Sequence, residues 1–293
     1  MAREHQESAV AEAELDLEQD RLGPHEDPGG PAPRKRGTLG RTLVVRLLQV
    51  ALLLLWLGAW HVTASGDLLD PVLAKTPGQS WDYFVSAVQS GELWTNLQAT
   101  MLAVVIAWVL ASLIGILVGI TLGLLPTVER VVNPFLDAAN AMPRIALAPL
   151  FIVALGIGTS AKVALACTLV FFIVLSGARA GVRSADQEWL RLSAVLGASK
   201  LQLFWKIMLP VATPAIFAAV RLGLIYALLG VVGSELISAQ NGLGQLIASY
   251  SSLFQMEAVY AILILLAIIA VAMNQVMSLA ESWLLRWQAP PDK

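Results

Sequence analysis

Apolar residues fill this chain in runs too long for the core of a soluble domain, and short polar islands mark where each run ends. A first run covers about 42–63. A more polar stretch, 64–94, follows, with Asp67, Asp70, Asp82 and Glu92 against a single Lys75. A charge-free run between Glu92 and Glu129 predicts a second span that ends before Pro126. At about 1.5 Å per residue this run exceeds the roughly 30 Å hydrocarbon thickness of a bilayer, so its first part is expected outside that layer. A third span is expected from near Asp137, past Pro143 and Pro149, to Gly156-Ile157-Gly158. A fourth falls at about 160–177, a fifth at 215–238 and a sixth at 257–279. The fold class is therefore all-α, a polytopic membrane protein of six transmembrane helices.

Between spans four and five lies a different pattern. Trp189, Leu192, Val195 and Leu196, then Leu203, Phe204 and Ile207, recur at three- and four-residue steps, with Arg191, Lys200 and Lys206 among them. That spacing predicts a surface helix, interrupted near Gly197 and Ala198. Pro210 and Pro214 are expected to punctuate the return to hydrophobic sequence. An amphipathic element between two spans displays a surface on one side of the bilayer, here read as a docking helix for a separate soluble engine.

Composition narrows the class. Of 293 residues, 57% are hydrophobic and only 14% charged, a balance that a soluble domain of this length does not have. The single cysteine, Cys167, lies in an apolar run, and His5, His25 and His61 form no ligand-spaced cluster. Neither a disulfide framework nor a metal centre is expected, and no cofactor. The net charge of −2 matters less than its distribution. The start is acidic, then Pro/Gly-rich, then basic through Arg34, Lys35, Arg36, Arg41 and Arg46. Residues 1–41 are expected to be a disordered cytoplasmic tail, 42–287 the transmembrane domain with its loop at about 179–213, and 288–293 a short cytoplasmic tail. Apart from Lys75 and Lys162, the Lys and Arg residues fall in the tails, in the 2–3 and 4–5 connections, at Arg46 and Arg144 in the first parts of spans one and three, or at Arg221 in span five. The positive-inside rule makes that face cytoplasmic, which places both termini and the docking loop there.

Within the spans, several groups stand out. Ala111, Gly115, Gly119 and Gly123 repeat every four residues on one face, either a packing face inside the bundle or a dimer seam. Pro143 and Pro149 kink or start span three, or line a route there. Arg221 either attracts an anionic substrate, pairs with Asp137, or snorkels to the inner interface. Ser234 and Glu235 sit near the outer end of span five. They either line or gate the outer end of a route, or Glu235 reaches interfacial water or caps a neighbouring helix. Asn274 and Gln275 are read as helix-bridging groups, and Asn241-Gly-Leu-Gly244 as a turn leading into a short re-entrant or surface helix. No phosphate-binding G-x-x-x-x-G-K-[ST] occurs, because Gly197-Ala-Ser-Lys200 lacks the second glycine. If transport is ATP-driven, another subunit hydrolyses the ATP.

The spacing Gly197, nine residues, Ile207, one residue, Leu209-Pro210 resembles the cytoplasmic EAA loop of bacterial ABC-importer permeases, which reads Glu-Ala-Ala, three residues, Gly, nine residues, Ile, one residue, Leu-Pro. Here the Glu-Ala-Ala positions hold Arg191, Leu192 and Ser193. From about 68 to 287 the chain further resembles the nitrate/sulfonate/taurine branch, through SGELWTNLQAT, NPFLDAANAMPRIALAPLFIVALGIG, GARAGVRSADQEWL, VGSELISAQNGLGQLI and LAESWLLRWQ. The resemblance implies a permease in the inner membrane, paired as a homodimer, with two cytoplasmic ABC ATPases below and a substrate-binding protein above, and no nucleic-acid partner. It implies ATPase contact at Arg191, Ser193, Ala194, Gly197, Ala198, Ser199 and Lys200, with Leu209 and Pro210 fixing the exit of the loop. Pathway candidates are Pro143, Arg221, Ser234 and Glu235. The cargo class it implies is a small anion such as a sulfonate, taurine or nitrate. The alternatives are an ion-coupled secondary transporter, for which no internal repeat is seen, or a membrane scaffold.

Overall fold

Three small-residue faces decide how the bundle is built. The computed structural model describes residues 38–66 and 70–286. The expected tails lie outside these, except for 38–41 at the start of the first helix. Along the described residues run α1 (Thr38–Ser65), α2 (Pro77–Gln89), α3 (Glu92–Leu124), α4 (Pro126–Ala141), a 3-10 turn (Arg144–Leu147), α5 (Ala148–Leu155), α6 (Thr159–Arg183), α7 (Gln187–Val195), α8 (Lys200–Leu203), a π turn (Phe204–Met208), α9 (Leu209–Ile237), α10 (Leu243–Ser252) and α11 (Met256–Leu284). Among the described residues, five helical stretches are long and apolar enough to cross a bilayer, or six if the bent pair α4 and 144–155 makes one span.

The chain divides into two units, one ending at Trp56 and one beginning at Leu57. In the first, the apolar side chains of α1 from Leu43 to Trp56 are exposed. The second holds the bundle. There α6 lies between α3 and α9. A Cβ at Gly115, Gly119 or Gly123 of α3 would press on Val174, Ala178 and Val182 of α6 in turn, so these two helices run parallel. Gly177 and Gly181 of α6 meet Ala219 and Ala215 of α9, and Gly230 of α9 meets Ala166, so α9 runs the opposite way. The glycine repeat is thus an internal packing face. Lipid tails are as apolar as leucine, so association in a membrane comes from close packing, and small residues permit it. Val104, Ala107, Val170, Val174, Ala227 and Val231 fill the space between these helices. Trp108 of α3 donates to the Val220 carbonyl of α9 at 2.9 Å, closing the triangle.

Three elements depart from the expectation. Span three is not one helix past its prolines: α4 starts at Pro126, and the chain turns by 84° before continuing through 144–155. Pro143 disfavours helical geometry at the preceding residue, and Met142 is extended at φ −67°, ψ 136°. Within 64–94 a helix forms at 77–89, opened by Pro77 and a reciprocal Thr76/Gln79 capping box. Finally, Pro210 and Pro214 do not break the chain, which stays helical from Lys200 to Ile237. Pro210 has no N–H to offer, and the π turn at 204–208, closed by the Leu209 N–H on the Phe204 carbonyl, absorbs the local mismatch.

Candidate functional site

The α7–α8 loop is built by caps at both ends. Asp186 accepts from the Glu188 N–H at 2.8 Å and opens α7. At its far end the Ala198 N–H reaches the Ser193 carbonyl and the Gly197 N–H the Ala194 carbonyl, the paired closure that ends a helix on a left-handed residue. Gly197 has φ 86°, a conformation that side chains disfavour, so this turn needs glycine. Ser199 then opens α8 through a capping box with Gln202. Ser193, Ala194, Gly197, Ala198, Ser199 and Lys200 therefore come together in one turn, with Arg191 a little earlier on α7. Leu209 and Pro210 stand apart, beyond the π turn at the start of α9.

What α7 presents is apolar. Trp189, Leu192, Val195 and Leu196 are exposed, Val195 to 85% and Leu196 to 79%. They follow one another at steps of three, three and one, one helical stripe facing away from the chain. Exposed side chains on a lipid-facing span need no partner, but a stripe like this on a polar loop marks an interaction surface.

The pathway candidates do not converge. Pro143 is exposed at the bend. Arg221 of α9 donates to Asn274 Oδ1 at 2.9 Å and pairs with Glu281 at 3.0 Å, both on α11. Its suggested partner Asp137 instead accepts from Asn133 at 2.6 Å, because α4 and α11 carry these two carboxylates to different places. Asn274 does bridge two helices. In a double-mutant cycle, Arg221→Ala and Glu281→Ala should couple by about 0.5–3 kcal/mol in detergent unfolding. Strict additivity would remove the pair as a structural tie.

Ser234 and Glu235 are 1% exposed, inside the chain. Glu235 accepts from Lys162 Nζ at 3.0 Å, from the Thr100 hydroxyl at 3.0 Å and from the Gly244 N–H at 2.9 Å. It caps the start of α10, the neighbouring-helix reading of this residue, and lies on no exposed wall. Sequence reading missed Lys162, Thr100 and Asn96. A signal existed for Lys162: it and Glu235 are opposite charges near the ends of two apolar runs. At the other end of α6, Glu129 is buried against Arg179, at 3.4 Å, and Arg183, fastening α4 to the approach to the α7–α8 loop.

Outside the spans, Tyr250 of α10 donates to Glu92 at 2.8 Å and stacks edge-on with Tyr83 of α2. Burial pushes both phenols above their usual range. Both remain neutral throughout the physiological range.

The described residues form a close-packed helical membrane bundle with an amphipathic surface loop between two of its spans, and the fold is that of type I ABC importer permeases. Residues 111–288 match the family described as "Binding-protein-dependent transport system inner membrane component", and the chain belongs to that family. Its relatives include the riboflavin transport system permease protein RibX of Chloroflexus aurantiacus, 37% identical, with the match covering 83% of this chain and 90% of that protein. The taurine transport system permease protein TauC of Escherichia coli is 31% identical over 76% of this chain and 83% of its own length. A putative aliphatic sulfonates transport permease, SsuC of Bacillus subtilis, is 28% identical over 78% and 83%. Among solved structures, an inward-facing MetNI methionine ABC transporter superposes with a TM-score of 0.54 at 19% identity, covering 65% of this chain and 93% of that one.

Proposed function

We propose that this chain forms the translocation route of an ATP-driven importer and is itself no enzyme. Two copies pair around the route, two ABC ATPases dock on α7 and α8 from the cytoplasm, and a substrate-binding protein delivers cargo from outside. The single observation that supports this most is the exposed apolar stripe of α7, held by the Gly197 turn on a continuous helix. ATP-driven closure of the ATPases moves this surface and shifts the bundle between inward- and outward-facing states. Taking such an equilibrium from 1:99 to 99:1 requires about 5.5 kcal/mol of differential binding. Uptake that survives ATP depletion but collapses with the proton gradient would contradict the scheme.

Arg191 stands where the related loops carry glutamate, so an acidic patch is expected on the matching ATPase. Arg191→Glu should weaken coupling, and a compensating basic residue in that patch should restore it. Failure of every such swap would count against the contact.

The cargo we favour is a small anion, a sulfonate, taurine or nitrate-like solute, supported by the likeness to TauC and SsuC. Ser234 and Glu235 are spent within the chain, so the lining of the route falls to Pro143 and Arg221, on exposed or partly exposed surface. A second reading has its own support. The likeness to RibX is higher in identity and coverage, and Glu281 offsets the charge that Arg221 would offer an anion, so a heteroaromatic vitamin fits as well. Thermal-shift screening of the cognate receptor against taurine, alkanesulfonates, nitrate and riboflavin separates the two: stabilisation by riboflavin alone would overturn the anion reading.

A further inference from the structure

The turn that joins α9 to α10 is not held by its own backbone. Three successive amides, those of Gly242, Leu243 and Gly244, each donate to a side chain from elsewhere: Asn96 Oδ1 at 2.7 Å, Thr100 Oγ1 at 2.9 Å and Glu235 Oε2 at 2.9 Å. The carbonyl of Asn241 accepts from Lys162 Nζ. Thr100 works in both directions, since it accepts from Leu243 and donates to Glu235. The four side chains that hold the turn, Asn96, Thr100, Lys162 and Glu235, are all buried, Thr100 and Glu235 completely so, while Asn241 itself lies at the surface. The glycines belong to the same device. A Cβ at Gly242 would overlap the Glu235 carboxylate, and one at Gly244 would overlap the Val232 carbonyl.

An ion pair at this depth is a demanding way to hold a turn. Each charge needs the other and needs its remaining hydrogen bonds filled, or the arrangement loses more by desolvation than it gains. Here the requirement is met: Lys162 has two acceptors, and the Glu235 oxygens are shared among three donors. The result ties α10 to α3, α6 and α9 at once. Of these, α9 differs, because it is continuous with the docking loop. The helical stretch Lys200–Ile237 is 38 residues long, about 57 Å at the usual rise, and Glu235 sits within its last turn.

The geometry points to a latch at the far end of a rod: Glu235, Lys162 and Thr100 fasten the 241–244 turn to α9, so that displacement of the docking loop is delivered to α10 on the opposite side of the bundle. The transmission half rests on the docking function proposed above. The fastening half does not. Tyr250, on the same α10, reaches Glu92 at the start of α3, so α10 is the element through which the rod can move the outer ends of the neighbouring helices. Glu235 and Lys162 act in this as positioning residues, with no contact to cargo.

Thr100→Val removes the shared hydroxyl at constant shape, and Thr100→Ser keeps it. Two readouts on the purified chain and on the complete transporter test the two halves. In hydrogen exchange, Thr100→Val should speed the amides of 242–244 by at least about tenfold, as expected when a buried donor loses its acceptor, and Thr100→Ser should leave them slow. In the assembled complex, Thr100→Val should reduce receptor-stimulated ATP hydrolysis by about tenfold, an ordinary coupling factor, with the receptor-free rate unchanged and Thr100→Ser normal. Unchanged exchange in Thr100→Val overturns the latch. Faster exchange with full stimulation overturns its role in transmission. A wild-type complex that ignores its receptor overturns the importer reading and the transmission step, while the exchange result still decides the fastening.

Discussion

Replacing Val195 and Leu196 together by aspartate should abolish ATPase binding and ATP-driven import while leaving the chain folded. Both side chains, at the last residue of α7 and the one after it, are almost fully exposed, so nothing inside the chain depends on them. Surface changes of this kind usually shift stability by less than about 0.5 kcal/mol. In a docked complex the balance reverses. Burying a valine or leucine contributes about 1.5–3 kcal/mol each, and two carboxylates buried without partners add a penalty of their own. Losing the apolar contributions alone weakens binding by about a hundredfold or more. The measurement is the dissociation constant of the detergent-solubilised chain for its ATPase, alongside size-exclusion profiles that report folding. Unchanged affinity would mean that the stripe faces something else.

A second large effect is expected inside the bundle. Gly119→Leu should prevent correct packing of α3 on α6, because even the first added carbon would overlap the Leu175 carbonyl and the Ala178 methyl. Overpacking commonly costs about 1–3 kcal/mol. Here the obstacle is backbone, which cannot rotate aside, so the upper end of that range or beyond is expected. Gly233→Leu is the control: a Cβ there meets nothing within 4 Å. Thermal unfolding in detergent should separate the two, with Gly119→Leu giving little monodisperse protein and Gly233→Leu resembling the parent. Equal behaviour of both would show that the three-helix packing does not limit stability.

The contrast between these positions shows what was legible in the sequence. A four-residue period of small residues marked 111–123 as a packing face, since period survives in the linear chain. Which helix it met was not legible, because α6 supplies the partner from about sixty residues away. The helix and its turn between α6 and α9 were legible to the residue: Gly197 and the helical spacing before it are local features. Its exit was not, because the rule that proline ends a helix has an exception where a π turn removes the mismatch. The 84° bend at Met142–Pro143 follows a local rule, but prolines six apart gave no way to choose between a kink and a break. The Thr76-Pro77-Gly78-Gln79 box that opens α2 was readable and went unread. Glu235 announced itself as a carboxylate among apolar residues, whereas its partner Lys162, 73 positions earlier, becomes visible only when α6 and α9 are laid antiparallel.

These features fit one mechanical picture. Small residues let α3, α6 and α9 approach closely enough to move together, a capped loop presents an apolar stripe at one end, and a buried charge pair secures α10 at the other. The cargo leaves little trace in this picture, since Arg221, a partly exposed cation of α9, is already held by Glu281 and Asn274.

The most direct test places a photo-reactive amino acid at position 195 in living cells and identifies by mass spectrometry what it captures. A covalent adduct with a cytoplasmic ATPase bearing a G-x-x-x-x-G-K-[ST] loop is the expected outcome, lost when Leu196 is changed to aspartate. Capture of an extracytoplasmic protein, or labelling of a cysteine at 195 by a membrane-impermeant reagent added to intact cells, would contradict it.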